Sequence, residues 1–166
     1  FAIQSDIAQK IVAAVGAKLT SGEEQGLAAA PTANAEAYRL YLQGLEYLRR
    51  PGHLQQSTEF AQRFFERSVA IDPSFALAHV ALAESHGAMY WWRYDPSATR
   101  AALQRKEAET ALRLAPDLPQ AHFAMGLAHY WGQRDYRRAL DEFAIALKGL
   151  PSDAQLRRFI GAVHRR

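Results

Sequence analysis

The residues best suited to chemistry are two pairs of histidines. His79 and His86 stand seven apart, and so do His122 and His129. On a helix this spacing puts both rings of a pair on one face, about 10 Å apart along the axis. A zinc site needs three or four ligands held together, often His-x-x-x-His with a carboxylate or a thiolate added. Seven-residue spacing does not bring two rings to one ion, and the chain has no cysteine. Histidines packed in or beside a helical core are the stronger reading. A metal-dependent fragment built on the pairs is the alternative. His53 and His164 fall near predicted helix ends. The acidic pairs Asp141–Glu142 and Glu107–Glu109 sit on polar faces among Arg and Lys. Nothing nearby supplies a nucleophile or a matched acid and base. The glycines are isolated and form no phosphate-binding loop. The sequence therefore assigns no catalytic residue, no metal ligand set and no cofactor.

The elements that carry these residues are helices. The 166 residues are 49% hydrophobic and 22% charged, which fits close-packed helices and argues against disorder. No apolar run reaches the roughly 20 residues that span a bilayer, and no signal-like start is present. The chain begins with Phe, so a longer parent protein is expected. The formal charge is +3. The basic excess lies late, in Arg134, Arg137, Arg138, Arg157, Arg158, Arg165 and Arg166. It could attract an acidic partner, but no nucleic-acid-binding motif accompanies it. A solvated helical surface is the preferred reading, and nucleic acid is an unfavoured partner.

Residues 120–153 read as one helical hairpin. Phe123, Leu127 and Tyr130 recur on a helical period. Gly132 to Asp135 break it, and Ala139, Phe143 and Ala146 lead to Gly149 and Pro151. The spacing Ala139, Phe143, Pro151 returns as Ala61, Phe65, Pro73. It returns again as Gln104, Ala108, Pro116, with two weaker residues. Three returns at a near-constant period mark a repeat protein.

This stretch resembles the tetratricopeptide repeat (TPR), a helical hairpin of 34 residues with fixed large and small positions. With Gln120 as position one, Phe123, Tyr130, Tyr136, Ala139, Phe143, Ala146 and Pro151 fall at family positions. Leu-Gly at seven and eight stands inverted here as Gly126-Leu127. His79 takes the place of the position-four aromatic and His86 that of the position-eleven tyrosine. The resemblance implies an all-α, right-handed superhelical solenoid of antiparallel hairpins.

The divisions expected are residues 1–33 as an N-terminal helix and linker, 34–73, 74–118 and 119–152 as three repeats, and 153–166 as the first helix of a fourth. Ile3, Ile7, Ile11, Val15 and Leu19 form one face of the first helix. Ser21 and Glu24 suit a capping box. Asn34 caps the next helix, in which Gly44 permits close approach. Extra residues lengthen the turn at Pro51-Gly52-His53. Pro73 to Pro116 is 43 residues while Pro116 to Pro151 is 35, and the surplus falls in GAMYWWRYDPS from Gly87 to Ser97. Its aromatics either fill the solenoid, the preferred reading, or offer a binding patch. Ile160-Gly161 match positions seven and eight of the last, unfinished repeat, through which self-association is conceivable.

The order of segments also resembles the C-terminal repeat region of bacterial multidomain signalling proteins. In those, a cyclase, a Ser/Thr kinase or a winged-helix regulator lies upstream, often with a TolB-like domain between. The resemblance implies a cytoplasmic, non-catalytic interaction or regulatory module whose partner is a protein or peptide. The alternatives it leaves are a fragment of a cyclase or kinase and a module of a transcription regulator. It further implies a concave lining of Tyr38, Tyr41, Leu45, Leu48 and Arg49 in the first repeat. Leu77, Val80 and Glu84 follow in the second, and Ala121, Ala124, Ala128, Trp131 and Gly132 in the third. Such a lining suits an amphipathic helix, supplied by a partner or by residues 3–19 or Tyr90–Tyr94 of this chain.

Overall fold

The computed structural model describes residues 31–166 apart from His53. The helix over residues 3–19 and the Ser21–Glu24 capping box lie outside the described residues. Among those described there are seven α-helices and no strand. They are α1 (Ala35–Leu48), α2 (Gln55–Ile71), α3 (Ala76–Trp91), α4 (Ala98–Leu114), α5 (Pro119–Ala128), α6 (Tyr136–Gly149) and α7 (Ala154–His164). The first six pair as successive hairpins, and α7 packs on α6.

Short polar side chains start the helices. Asn34 accepts from the Ala37 N–H at 3.0 Å and Ser97 from the Arg100 N–H at 3.2 Å. Asp135 and Asp153 do the same for α6 and α7, from Arg138 at 3.1 Å and Leu156 at 2.8 Å. Each satisfies a backbone donor that has no intrahelical acceptor. The Thr32 hydroxyl donates to the Asp72 carboxylate, and Ser68 Oγ donates to the Ala37 carbonyl at 2.8 Å. These two bonds tie the start of α1 to the end of α2, closing the open end of the first hairpin.

Inside the first and third hairpins one large ring covers one small residue. Phe65 lies over Gly44 and Phe143 over Gly126, so close that a Cβ on either glycine would sit under 3 Å from the ring. Gly126, not Leu127, therefore makes the position-eight contact. The apparent inversion of Leu-Gly is a register shift of one residue. The surplus is taken up directly after α5, where His129–Gln133 form a π-helical turn. A π turn is how a helix accommodates one added residue, and this repeat is 35 residues long, not 34. Arg134 then leaves the helix with φ +55°, and the Asp135 N–H closes back on the His129 carbonyl at 3.0 Å.

The second hairpin solves the same packing differently. Ala83 and Ala108, both fully buried in one cluster, replace the glycine–phenylalanine pair. The missing bulk is supplied by Gln104, buried against Gly87, where a Cβ would clash with the Gln104 amide and the Trp131 ring. The insertion lengthens α3 to Trp91 before the chain turns at Arg93, φ +65°. Trp91 stacks on Trp131 at 5.5 Å and tilts against Tyr130 at 5.4 Å. Tyr90 packs on the same cluster, whereas Trp92 and Tyr94 stay exposed. The insertion thus locks the second repeat to the third with two rings and leaves two at the surface. Phe159 of α7 completes that cluster, 5.9 Å from Phe123 and 5.5 Å from Trp131.

Candidate interaction surface

The first helices of the hairpins, α1, α3 and α5, carry the residues expected to line a groove. Tyr38 and Tyr41 stand one helical turn apart, 6.1 Å between ring centres. Tyr41 also meets the Phe75 ring edge-on at 5.0 Å and lies 6.0 Å from Phe65. Phe75 and Phe65 are buried, so they hold the half-buried Tyr41 from below. Burial, then the Glu84 carboxylate, push the Tyr41 hydroxyl up to about 12. It is a neutral donor at any physiological pH. Leu45, Leu48 and Leu77 are also half-buried, and Arg49 is exposed.

The other predicted lining residues form the floor or lie under it. Val80 is 5% exposed and Trp131 8%, and Ala121, Ala124 and Ala128 are buried. The small alanines let α5 approach α3 and α4, and Trp131 is committed to Trp91 and Phe159. Of the predicted lining, the part left open is therefore the aromatic and aliphatic strip of α1 with Leu77. One carboxyl stands in it. Packing around Glu84 pushes its carboxyl up to about 7, against the pull of Arg49 and with a small push from Asp153. A half-buried carboxyl in an apolar strip favours its neutral form for the usual reason of lost hydration.

The histidines serve the scaffold. His79 Nδ1 lies 2.6 Å from Glu107 Oε2 and its Nε2 lies 3.1 Å from the Pro73 carbonyl. His122 repeats this with Glu142 at 2.7 Å and the Pro116 carbonyl at 2.8 Å. Each ring is a brace between a first helix, the preceding turn and a second helix. Glu107 and Glu142 are consequently not members of a solvated polar face, as their neighbours in sequence suggest. Glu107 is buried and Glu142 half-buried, each aimed inward at its histidine. Burial raises the Glu107 carboxyl, but the His79 hydrogen bond and charge outweigh it and hold it below the usual range. His86 accepts from Arg100 Nη1 at 2.9 Å, while Arg100 also reaches Asp95 at 2.9 Å and Gln62 at 2.8 Å. Burial, then that guanidinium, pull His86 down to about 4. His129 bonds Gln133 at 2.7 Å across the π turn. No group of three or more candidate metal ligands comes together among the described residues.

Several of the late arginines are engaged singly. Arg157 Nε donates to the Pro151 carbonyl at 3.0 Å, the place His79 and His122 fill in their repeats. Arg158 lies over the Phe159 ring at 4.9 Å, and Arg138 approaches Asp135 at 3.4 Å. Among the described residues no helix is long and apolar enough to cross a membrane.

Paired helices, a small residue under a ring in the first and third hairpins, and proline-bounded repeats define a stack of helical-hairpin repeats. The chain has the tetratricopeptide-repeat fold. It superposes on the crystal structure of the Sgt2 TPR domain from Aspergillus fumigatus with a TM-score of 0.62 and 15% identity, covering 82% of each chain. In sequence it is 31% identical over 137 residues to putative adenylate cyclase 3 of Rhizobium meliloti (strain 1021). That match takes in 81% of this chain but only 23% of the relative's length. No protein-family model matches the chain.

Proposed function

We propose that this chain is a non-catalytic protein-interaction module whose first-helix face receives an amphipathic helix. The observation that carries the proposal is the strip of Tyr38, Tyr41, Leu45, Leu48 and Leu77, contiguous apolar side chains left half open along the first-helix face. An apolar strip on a repeat stack is a surface for a helix laid in a groove. Arg49 at its edge and the Glu84 carboxyl within it would set the occupant's register, the first as a positive charge and the second as a hydrogen-bonding group. In the parent protein the module would serve a cytoplasmic signalling effector, and the likeness to a protein named as an adenylate cyclase supports a cyclase in that role.

Residues 3–19, with Ile3, Ile7, Ile11, Val15 and Leu19 at helical spacing, have the pattern such a groove takes. Deleting residues 1–20 tests whether they supply the occupant. The expected result is a less stable, self-associating chain that recovers when a peptide of residues 1–20 is added. A monomeric, equally stable chain that ignores the peptide would remove residues 3–19 as occupant. If Tyr41→Ala and Leu45→Ser also left every partner complex of the parent protein intact, the groove itself would be ruled out.

A further inference from the structure

A second concavity lies away from the α1 strip, at the exit ends of α3 and α5. Its volume is about 310 Å³, at the small end of ligand pockets. Trp91, Tyr130 and Trp131 form its wall, and Tyr90 and Tyr136 bring phenol groups to it. Among the described residues the charged groups that line it are Arg93, Arg134 and Arg166. No carboxylate side chain pairs with these three among the described residues. Arg166 is drawn instead to the Tyr130 hydroxyl.

Two further observations point to a ligand. Arg93 and Arg134 both adopt the left-handed backbone conformation, φ +65° and +55°. Helix ends take that conformation most easily with glycine, and an arginine there is strained. Both strained positions aim guanidinium-bearing residues at one pocket. The Trp131 indole N–H, on the wall of that pocket, is buried without a hydrogen-bond partner in the chain.

We propose that this pocket binds a nucleoside monophosphate, or a ligand of the same chemistry: a flat bicyclic base joined to one phosphate. Trp91 is half-buried and offers an indole face to the base, since bases stack on aromatic rings without regard to sequence. The guanidiniums meet the phosphate, which their planar forks match. The Trp91 indole, held in place by its stack on Trp131 21° from parallel, is a bicyclic ring that matches a purine and is larger than a phenyl phosphate requires. The pocket's volume leaves no room for a dinucleotide.

The test titrates AMP, adenosine, phenyl phosphate and inorganic phosphate into the intact chain, read by tryptophan fluorescence and calorimetry. AMP is expected to quench the fluorescence and to bind at least about tenfold more tightly than the other three, each lacking one half of the recognition. Phenyl phosphate binding as tightly as AMP would assign the pocket to phosphorylated phenols and overturn the nucleotide reading. Arg93→Gly and Arg134→Gly are each expected to weaken AMP binding about tenfold while raising the unfolding midpoint by about 2–4 °C, because the backbone strain is relieved. Unchanged AMP affinity, absence of binding at millimolar AMP, or a lower unfolding midpoint in both variants would contradict the proposal. The last result would assign the arginines to the fold.

Discussion

Gly126→Leu is expected to lower the unfolding free energy by more than about 3 kcal/mol, enough to melt the third hairpin at room temperature. A single Cβ at this position already meets the Phe143 ring under 3 Å away and the Ala139 carbonyl at 3.2 Å. The ring cannot retreat, because Phe143 is fully buried and sits 5.7 Å from Phe123. The backbone carbonyl cannot move without bending α6. The internal control is Gly161, which matches Gly126 in the repeat but has only the end of the flexible Arg165 side chain near its would-be Cβ, at 3.5 Å. Gly161→Ala should stabilise by about 0.5–1 kcal/mol, the usual gain of alanine over glycine within a helix. Urea denaturation followed by far-ultraviolet circular dichroism reads both. Equal and small effects at the two glycines would refute the packing account.

The second large effect is electrostatic and depends on pH. Glu84 is raised from 4.5 to about 7 in the folded chain, so between these values the folded state holds a proton that the unfolded state has lost. Its contribution is fully present below pH 4.5 and is lost as pH rises through 7. Above that, the folded chain carries an ionised carboxylate in an apolar strip. Glu84→Gln should therefore stabilise by on the order of 1–3 kcal/mol at about pH 8 and make little difference at about pH 4. His86 works in the opposite sense, since a histidine held near 4 loses stability for the fold as pH drops below 6.5. The difference between the variant and the parent chain cancels that background. A gain of the same size at both pH values would mean that Glu84 does not titrate in the strip.

Much of the architecture could be read from residue type and spacing. Small residues recurring with phenylalanine and proline at fixed offsets have one common cause, the packing of a ring over a small residue inside a hairpin. Gly44 with Phe65 and Gly126 with Phe143 make that contact, and the recurring Ala–Phe–Pro offsets carry its signal directly. The cap at Asn34 was equally legible, because a short polar side chain before an apolar period has a local reason to be there. The one-residue surplus of the third repeat was visible only as an odd length. Nothing in His129–Gln133 marks a π turn, so the surplus was read as an inversion of Gly126-Leu127. Gln104 looked like a poor match for the same reason: its justification is Gly87, a contact between two helices and not a local preference. The inward turn of Glu107 and Glu142 had a retrievable signal. Each lies nine residues before a repeat-ending proline, and each repeat has a histidine six residues after the preceding one. The arginine-lined pocket had none, since two helix exits and the end of α7 meet there only through the fold.

The most direct measurement of the groove is site-specific photo-crosslinking from residue 41. Benzoylphenylalanine replaces Tyr41, extending its ring by a benzoyl group toward the groove's occupant, and the crosslinked segment is sequenced by mass spectrometry. The account predicts crosslinks confined to one apolar face of a single helical segment, either Ile3, Ile7 and Ile11 of this chain or an equivalent face of a partner, and their loss on Leu45→Arg. Crosslinks scattered over unrelated segments, or a pattern indifferent to Leu45→Arg, would contradict a helix-receiving groove.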